Sequence, residues 1–261
     1  MDAVAEILVE RELLIDAAPE TVWELLVDPG QITQWMGTNA KLEARRGGEY
    51  RLAVIPGHTA RGEVVEIDAP RRLVYTWGWE GNERVPPGST VVEFDLQPRG
   101  DRTLLRFTHR ELPTSESAAS HAHGWDHYLP RLVQAARGEN PGVDAWVTSQ
   151  TIKNYFDALK QKGDWQSLLA DDMTFSSFTS PVKSISGKRA YLQATERFYS
   201  SIITGELREL IVDGDKAVAL TRYELQGPAG RFTSDVAEIF TVRDGRIATF
   251  GIYFDTAPFP K

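Results

Sequence analysis

Pro70-Arg71-Arg72-Leu73-Val74-Tyr75-Thr76-Trp77-Gly78-Trp79-Glu80 decides how the first half of this chain is read. Leu73, Tyr75, Trp77 and Trp79 alternate with smaller residues, so an extended strand turns all four toward one face. Rings of this size side by side either fill a core or wall a cavity shaped for an apolar ligand. The strand belongs to a longer run. From Lys41 to His109 the chain is nearly all strand and turn, punctuated by Gly47-Gly48, Pro56-Gly57, Ala69-Pro70, Pro86-Pro87-Gly88 and Arg99-Gly100-Asp101 at hairpin-like intervals. Val92 and Phe94, then Leu105, Phe107 and His109, follow the same inward alternation on neighbouring strands, which turns Val91, Glu93 and Arg106 outward.

Upstream of this run, Glu6 to Asp16 reads as a strand, and Ala18-Pro19-Glu20-Thr21 opens a helix with proline in its first turn. Val22, Trp23, Leu25 and Leu26 give that helix an apolar face; Pro29-Gly30 is expected to break it, and Gln31 to Met36 to form a second short helix. Downstream, Ser115 to Arg137 predicts a long helix whose inner stripe is His121, Trp125, Tyr128, Leu129, Leu132 and Ala136. Gly138-Glu139-Asn140-Pro141-Gly142 stops it and marks the best domain boundary, because the pattern of elements restarts directly afterwards. The expected organisation is a domain over 1–140, a linker over 141–147 and a second domain over 148–261.

The second half reads as helices first and sheet last. Thr148 to Lys162 is a helix with Ile152, Tyr155, Phe156 and Leu159 on one side; Gly163-Asp164 caps it, and Trp165 to Leu169 starts another short helix. Met173 to Phe178 is a brief strand, and Lys188 to Ser200 a helix carrying Tyr191, Leu192 and Phe198. Four strands around 205–212, 215–226, 231–242 and 246–255 close the chain, joined by Asp213-Gly214-Asp215, Gly227-Pro228-Ala229-Gly230 and Asp244-Gly245. The two halves are different α+β arrangements, not a repeat.

At 261 residues there is chain enough for two cores, and 41% hydrophobic with 25% charged residues is ordinary globular composition. A net charge of -8 and the absence of any Lys/Arg run argue against a nucleic-acid partner. Zero cysteines exclude disulfides, thiolate metal sites and a cysteine nucleophile. Met1-Asp2-Ala3-Val4-Ala5-Glu6 has neither a basic nor an apolar leader segment, and no later run reaches membrane-spanning length, so a cytoplasmic setting without a membrane partner is expected. His123 and His127 stand four apart on the long helix, a spacing able to chelate a metal, yet Asp126 lies around the helix from both; they read as solvated histidines, and neither a metal nor a cofactor is expected. Arg45-Arg46 and Arg71-Arg72 read as solvated strand ends. No phosphate-cradling glycine loop or nucleophile elbow is present in the sequence.

Several of these motifs together carry a resemblance. Ala17-Ala18-Pro19-Glu20-Thr21-Val22-Trp23, Gln34-Trp35, Gly47-Gly48-Glu49-Tyr50-Arg51, the stretch from Pro70 to Trp77, and His121-Ala122-His123-Gly124-Trp125 are similar to the START-like (SRPBCC) superfamily, in the branch named after activators of the heat-shock ATPase. The resemblance covers about residues 6 to 138. It implies a helix-grip fold, a curved antiparallel sheet wrapped on a long C-terminal helix with a cavity between them, and no single function. In that geometry Tyr75, Trp77, Trp79, Phe94, Phe107, His109, His121 and Trp125 line the cavity. His109 and His121 either orient a ligand carbonyl or phenol, or bond to each other or the backbone.

Residues 148 to 256 resemble the SnoaL-like branch of the nuclear-transport-factor-type superfamily, which includes ketosteroid isomerases. The marks are Ile152-Lys153-Asn154-Tyr155-Phe156, Gly163-Asp164-Trp165, Leu168 through Phe175, Gly187-Lys188, and Ile239 through Ile247. The resemblance implies a cone-shaped α+β barrel with an apolar pocket, and pairing of two copies through the outer sheet face, so a homodimer through this domain is expected. For isomerase chemistry a carboxylate base and an oxyanion donor are needed. The base position falls on Ser177 and the oxyanion tyrosine position on Phe156, with Tyr155 expected to point elsewhere, so ketosteroid isomerase activity is rejected. The remaining donor position carries Glu238, which shares a strand face with Ser234, Val236 and Phe240; Phe250, Ile252 and Phe254 are expected at the same pocket.

The leading expectation is binding of a small apolar, aromatic or polycyclic molecule in the helix-grip cavity, with a second pocket in the C-terminal domain lined by Phe156, Phe240 and Phe254. The alternative is a polyketide-type cyclase, dehydratase or isomerase using His109, His121 or Glu238 as acid or base.

Overall fold

The computed structural model describes residues 7–179, 184–228 and 230–254. Glu6, Ala229 and position 255, each assigned above to a strand or turn, lie outside the described residues. The chain divides into two compact units, Met1–Pro141 and Gly142–Lys261.

The first unit is built on one antiparallel sheet. Strands β1 (Val9–Ile15), β2 (Asn39–Leu42), β3 (Glu49–Ile55), β4 (His58–Asp68), β5 (Arg72–Trp77), β6 (Thr90–Arg99) and β7 (Arg102–Arg110) lie in the order β1-β7-β6-β5-β4-β3-β2. From β2 to β7 the sheet is a meander, and β1 closes it by pairing with β7 from Val9↔His109 to Ile15↔Thr103. Register brings the large inward residues into rows: Leu73 lies opposite Phe94 and Phe94 opposite Phe107, while Tyr75 lies opposite Val92 and Val92 opposite His109. A long helix, α3 (Ser115–Ala136), lays His121, Trp125, Tyr128, Leu129 and Leu132 toward this core. Its first turn is capped by Thr114, whose Oγ1 accepts from Ser117 N at 3.1 Å.

Two short helices, α1 (Pro19–Val27) and α2 (Pro29–Trp35), fill the β1–β2 connection. Pro29 begins α2 instead of merely ending α1. Asp28 serves both helices, its N–H closing α1 onto Glu24 O at 3.0 Å and its carboxylate accepting from Gln31 N at 2.9 Å. Arg72 is another departure from expectation. It is half-buried on the outer face, donating to Glu66 on β4 and to Glu93 and Asp95 on β6, while Arg110 shares Glu93. Arg71 pairs only with nearby Asp68.

The second unit places helix α4 (Ala145–Lys160) and helix α5 (Lys188–Ser201) with a six-stranded sheet. Its strands are β8 (Leu169–Ser177), β9 (Ser184–Ser186), β10 (Ile202–Asp213), β11 (Lys216–Gly227), β12 (Gly230–Arg243) and β13 (Arg246–Phe254), in the order β10-β11-β12-β13-β8-β9. β10 to β13 are successive hairpins, and the last turn, Asp244-Gly245, has positive φ at both residues (52° and 68°), the geometry that favours Asp-Gly between twisted strands. β13 pairs with β8 in parallel. α4 starts before Thr148 because Asp144 caps it, accepting from Trp146 N at 2.9 Å. The helix expected at Trp165 to Leu169 is a single 3-10 turn, Gln166–Leu168, since the apolar Leu169 is already the first residue of β8. Ile152, Tyr155, Met173, Phe240 and Ile247 are among the fully buried centre of this unit.

Candidate functional site

In the first unit the aromatic stripe is packed ring on ring. Tyr50 stacks on Tyr75 at 4.2 Å between centroids, Phe107 meets Trp125 at 4.4 Å, Phe94 meets Phe107 at 5.2 Å, and Trp77 meets Trp125 at 5.7 Å. Trp79 lies beyond the end of β5, held by an isolated bridge to Ala60, and is half-buried.

The two histidines among these rings have their nitrogens committed. His109 Nδ1 accepts from Trp125 Nε1 at 3.0 Å, and its Nε2 lies 2.8 Å from Thr90 Oγ1. Thr90 donates its own proton to Trp77 O at 3.0 Å, so Nε2 of His109 is the donor and the ring is neutral. His121 accepts from Trp79 Nε1 at 3.1 Å through Nε2 and faces Ser117 O at 2.7 Å through Nδ1. The rings stand 4.8 Å apart without bonding each other. Burial, with His121 nearby, pushes His109 down to about 2; burial also lowers His121, against the opposing pull of the Ser117 carbonyl. Trp77 Nε1 has no hydrogen-bond partner among the described residues. His123 is exposed and His127 half-buried, and no group of three or more metal-binding side chains occurs among the described residues.

The second unit contains a cavity of about 260 Å³. β12 sends Ser234, Val236 and Glu238 to it, one face of a strand at period two, and β13 adds Phe250, Ile252 and Phe254. α4 contributes Tyr155, α5 contributes Tyr191, Phe198 and Tyr199, and β8 contributes Phe175 and Ser177. Glu238 is the one carboxyl group in this lining among the described residues. It is 2% exposed, and its Oε1 accepts from Tyr223 OH at 2.7 Å and from Thr221 Oγ1 at 3.0 Å. Its Oε2 has no partner among the described residues. Burial raises Glu238 to about 7, with the Tyr223 and Thr221 bonds pulling the other way. A purely structural Glu238 would pair with Arg222 or Arg197; its hydrogen bonds come from Tyr223 and Thr221 instead, and Arg222 clamps Asp235 on the opposite face at 2.7 and 2.6 Å.

Three further phenols form a chain. Tyr199 OH lies 2.8 Å from Tyr155 OH and 2.5 Å from Tyr191 OH. Burial holds all three, and Tyr223, well above the usual tyrosine range, so they act as neutral hydrogen-bonding groups. Chemically the site offers a mainly apolar chamber with one carboxyl poised near neutrality and, among the described residues, no second carboxylate in its lining.

Tyr155 corrects the expectation that it points elsewhere. It lines the cavity, while Phe156, buried beside it and edge-on to Phe240 at 6.2 Å, borders a separate surface groove. Ser177 does stand in the cavity wall. Phe254 lines the cavity, whereas Phe240 is fully buried behind it, stacked on Phe250 at 4.7 Å. Tyr199 and Tyr223 were not singled out from the sequence. Tyr199 falls eight residues after Tyr191 on one helix face, and Tyr223 lies on the inward phase of β11 opposite Ser234.

A curved meander gripped by one long helix, followed by a bent sheet holding a carboxyl-bearing cavity, makes a helix-grip domain and a cone-shaped α+β domain in one chain. Residues 16–137 match the family described as Activator of Hsp90 ATPase homolog 1-like protein, and residues 152–250 match the SnoaL-like domain. The chain belongs to the AHSA1-like family, of SRPBCC type, through its first unit, and carries a SnoaL-like domain in its second. Among similar solved structures, the AHSA1-like protein of Rhizobium etli is 46% identical, with 53% of this chain and 87% of that one covered and a TM-score of 0.45. CalU16 of Micromonospora echinospora is 26% identical over 52% of this chain and 87% of that one, with a TM-score of 0.41. The Aha1 dimer of Colwellia psychrerythraea is 18% identical over 50% and 96%, with a TM-score of 0.45. No curated protein matches the chain. Among the described residues no helix is long and apolar enough to cross a membrane.

Proposed function

We propose that the second unit binds a compact apolar molecule bearing one hydrogen-bond acceptor, such as a cyclic ketone, with protonated Glu238 as the donor to that acceptor. One observation supports this most: a buried carboxyl with Oε2 unpartnered among the described residues, in a cavity of about 260 Å³ walled mainly by rings and aliphatic groups, with Ser177, Thr195 and Ser234 as its hydroxyl-bearing aliphatic members. A buried polar group left unpaired costs about 1–3 kcal/mol, a cost that a bound acceptor removes. The volume sits just below the usual range for small-molecule sites, roughly 300–1,000 Å³, which selects small guests.

A ligand in the first unit, against Tyr75, Trp77, Trp79, Phe94, Phe107 and Trp125, has to part rings that already touch one another and displace indole bonds on His109 and His121. The second unit's cavity requires neither, which supports the reading that the ligand enters there. The second reading is proton-transfer chemistry of the cyclase, dehydratase or isomerase kind, favoured by the poise of Glu238 near 7. It requires Glu238 to serve as both acid and base.

Calorimetric titration with alpha-tetralone, a neutral bicyclic ketone, tests this reading. Saturable binding is expected below pH 7, weakening about tenfold per pH unit above it as the carboxyl ionises. Glu238→Gln should retain binding without the pH dependence, and Glu238→Ala should lose most of it. Binding that ignores both pH and Glu238→Ala rules the proposal out. Turnover of the ketone that disappears in Glu238→Gln would favour the second reading.

We also infer that a second copy of the chain covers the outer face of the second sheet. Leu220, Ile239, Ile211 and Tyr253 are exposed there, with Phe178 stacked on Tyr253 at 4.2 Å.

A further inference from the structure

We propose that the second unit carries another small-molecule site, a surface groove that takes an aromatic anion with its ring against Trp165 and its acid group on Lys160 and Lys162. The groove, of about 530 Å³, is formed by the end of α4, the turn that follows it, α5 and the start of β10. Phe156, Trp165 and Leu192 supply apolar wall. Trp165 is half-buried and stacked on Tyr199 at 4.1 Å with 28° between planes, so its ring is held from behind and offers a fixed surface in front.

The charged members of the lining are Lys160, Lys162 and Glu196, two cations to one carboxylate in a chain whose net charge is -8. Among the described residues neither lysine side chain has a hydrogen bond or an ion pair, whereas Lys188, Arg222 and Arg243 of the same unit are each paired with an aspartate. Lys160 lies in the last turn of α4, where a cation suits the helix dipole, but neither lysine side chain caps the helix end by a hydrogen bond among the described residues. Its last carbonyls are satisfied by backbone: Gly163 N donates to Ala158 O at 2.8 Å, Lys162 N to Leu159 O at 3.2 Å, and Gln161 N to Asp157 O at 3.0 Å. Lys162 itself has φ +54°, the left-handed position at a helix end that glycine occupies without strain and other residues at a cost of about 1 kcal/mol. A lysine stands where glycine is the easier choice, its ammonium unengaged among the described residues, in the same groove lining as the half-buried indole of Trp165. An aromatic ring carrying a carboxylate, sulfonate or phosphate matches that pairing of ring and charge.

Tyr199 and Tyr223 belong to this groove and also to the cavity that holds Glu238, so the two sites lie back to back across shared rings. The proposal does not depend on a ligand in that cavity. It is tested by fluorescence titration of the full chain with anilinonaphthalene sulfonate at low salt. Saturable binding is expected, weakened about tenfold by the double reversal Lys160→Glu with Lys162→Glu, and weakened likewise by Trp165→Leu. The lysines are exposed and remote from the core, so their reversal leaves the fold intact, which circular dichroism checks. Unchanged affinity in the lysine double variant, or no saturable binding to the parent protein, overturns the proposal, and neither result bears on alpha-tetralone binding at Glu238.

Discussion

Glu238 and His109 are both buried and neutral, and their signs under pH are opposite. The Glu238 carboxyl, raised from 4.5 to about 7, ionises earlier in the unfolded chain than in the folded one. Its contribution to stability is therefore intact below about 4.5 and is lost as pH rises to 7, a change of about 3 kcal/mol as an order of magnitude. His109, lowered from 6.5 to about 2, is protonated first in the unfolded chain, so the first unit weakens as pH falls below 6.5, by about 1.4 kcal/mol per unit. Thermal unfolding of the parent and of Glu238→Gln at pH 5 and pH 8 checks this. The second unit of the parent should melt lower at pH 8, and the variant should not. A second-unit transition of the parent that rises between the two pH values contradicts the assignment of Glu238. At this scale much was legible: strand alternation alone placed Glu238 beside Ser234 and Val236. The choice between Tyr155 and Phe156 was not, because the two adjacent rings are both buried on α4 and helical periodicity alone does not say which of them borders the cavity.

Elements depend on a few positions where backbone approaches backbone. Gly62 in β4 lies against β5, and a Cβ there would stand 1.8 Å from the carbonyl oxygen of Thr76. Thr76 also receives Glu63 N on its Oγ1 at 2.9 Å, so the two strands cannot separate locally without losing that bond. Gly62→Ala should destabilise the first unit by about 2–3 kcal/mol, read as a lowered denaturant midpoint. An unshifted midpoint would mean that β4 and β5 are not so close. The hairpins of both units were readable because their turn residues sit between alternating runs. β9 and the parallel pairing of β13 with β8 were not: β9 is only three residues, Ser184–Ser186, too short for an alternation to show, and β13 finds β8 far back in the chain. The helix read at Trp165 to Leu169 failed for a related reason: the short apolar run there suits a strand as well as a helix, and pairing across to Ile247 decided it.

At the scale of the whole molecule, two units with different folds answer to different families, one over residues 16–137 and the other over 152–250. The outer face of the second sheet bears on assembly. Leu220, Ala237 and Tyr253 form one row across β11, β12 and β13, and Val218, Ile239 and Gly251 another. A stable pair needs about 800 Å² covered on each partner, more than a single row supplies, so both rows have to take part. Ile239→Asp should convert a dimer to a monomer in sedimentation velocity while leaving the alpha-tetralone affinity in place. A parent chain that sediments as a monomer at roughly 100 µM excludes a stable pair on this face.

The stacking of Trp165 on Tyr199 has a practical side. Apart from Trp146, it is the only indole in the second unit. Because Tyr199 walls both the Glu238 chamber and the lysine-rimmed groove, ultraviolet emission from Trp165 is tied to whatever enters either one. A fragment spanning Gly142–Lys261 would carry its own built-in optical gauge, with no dye attached.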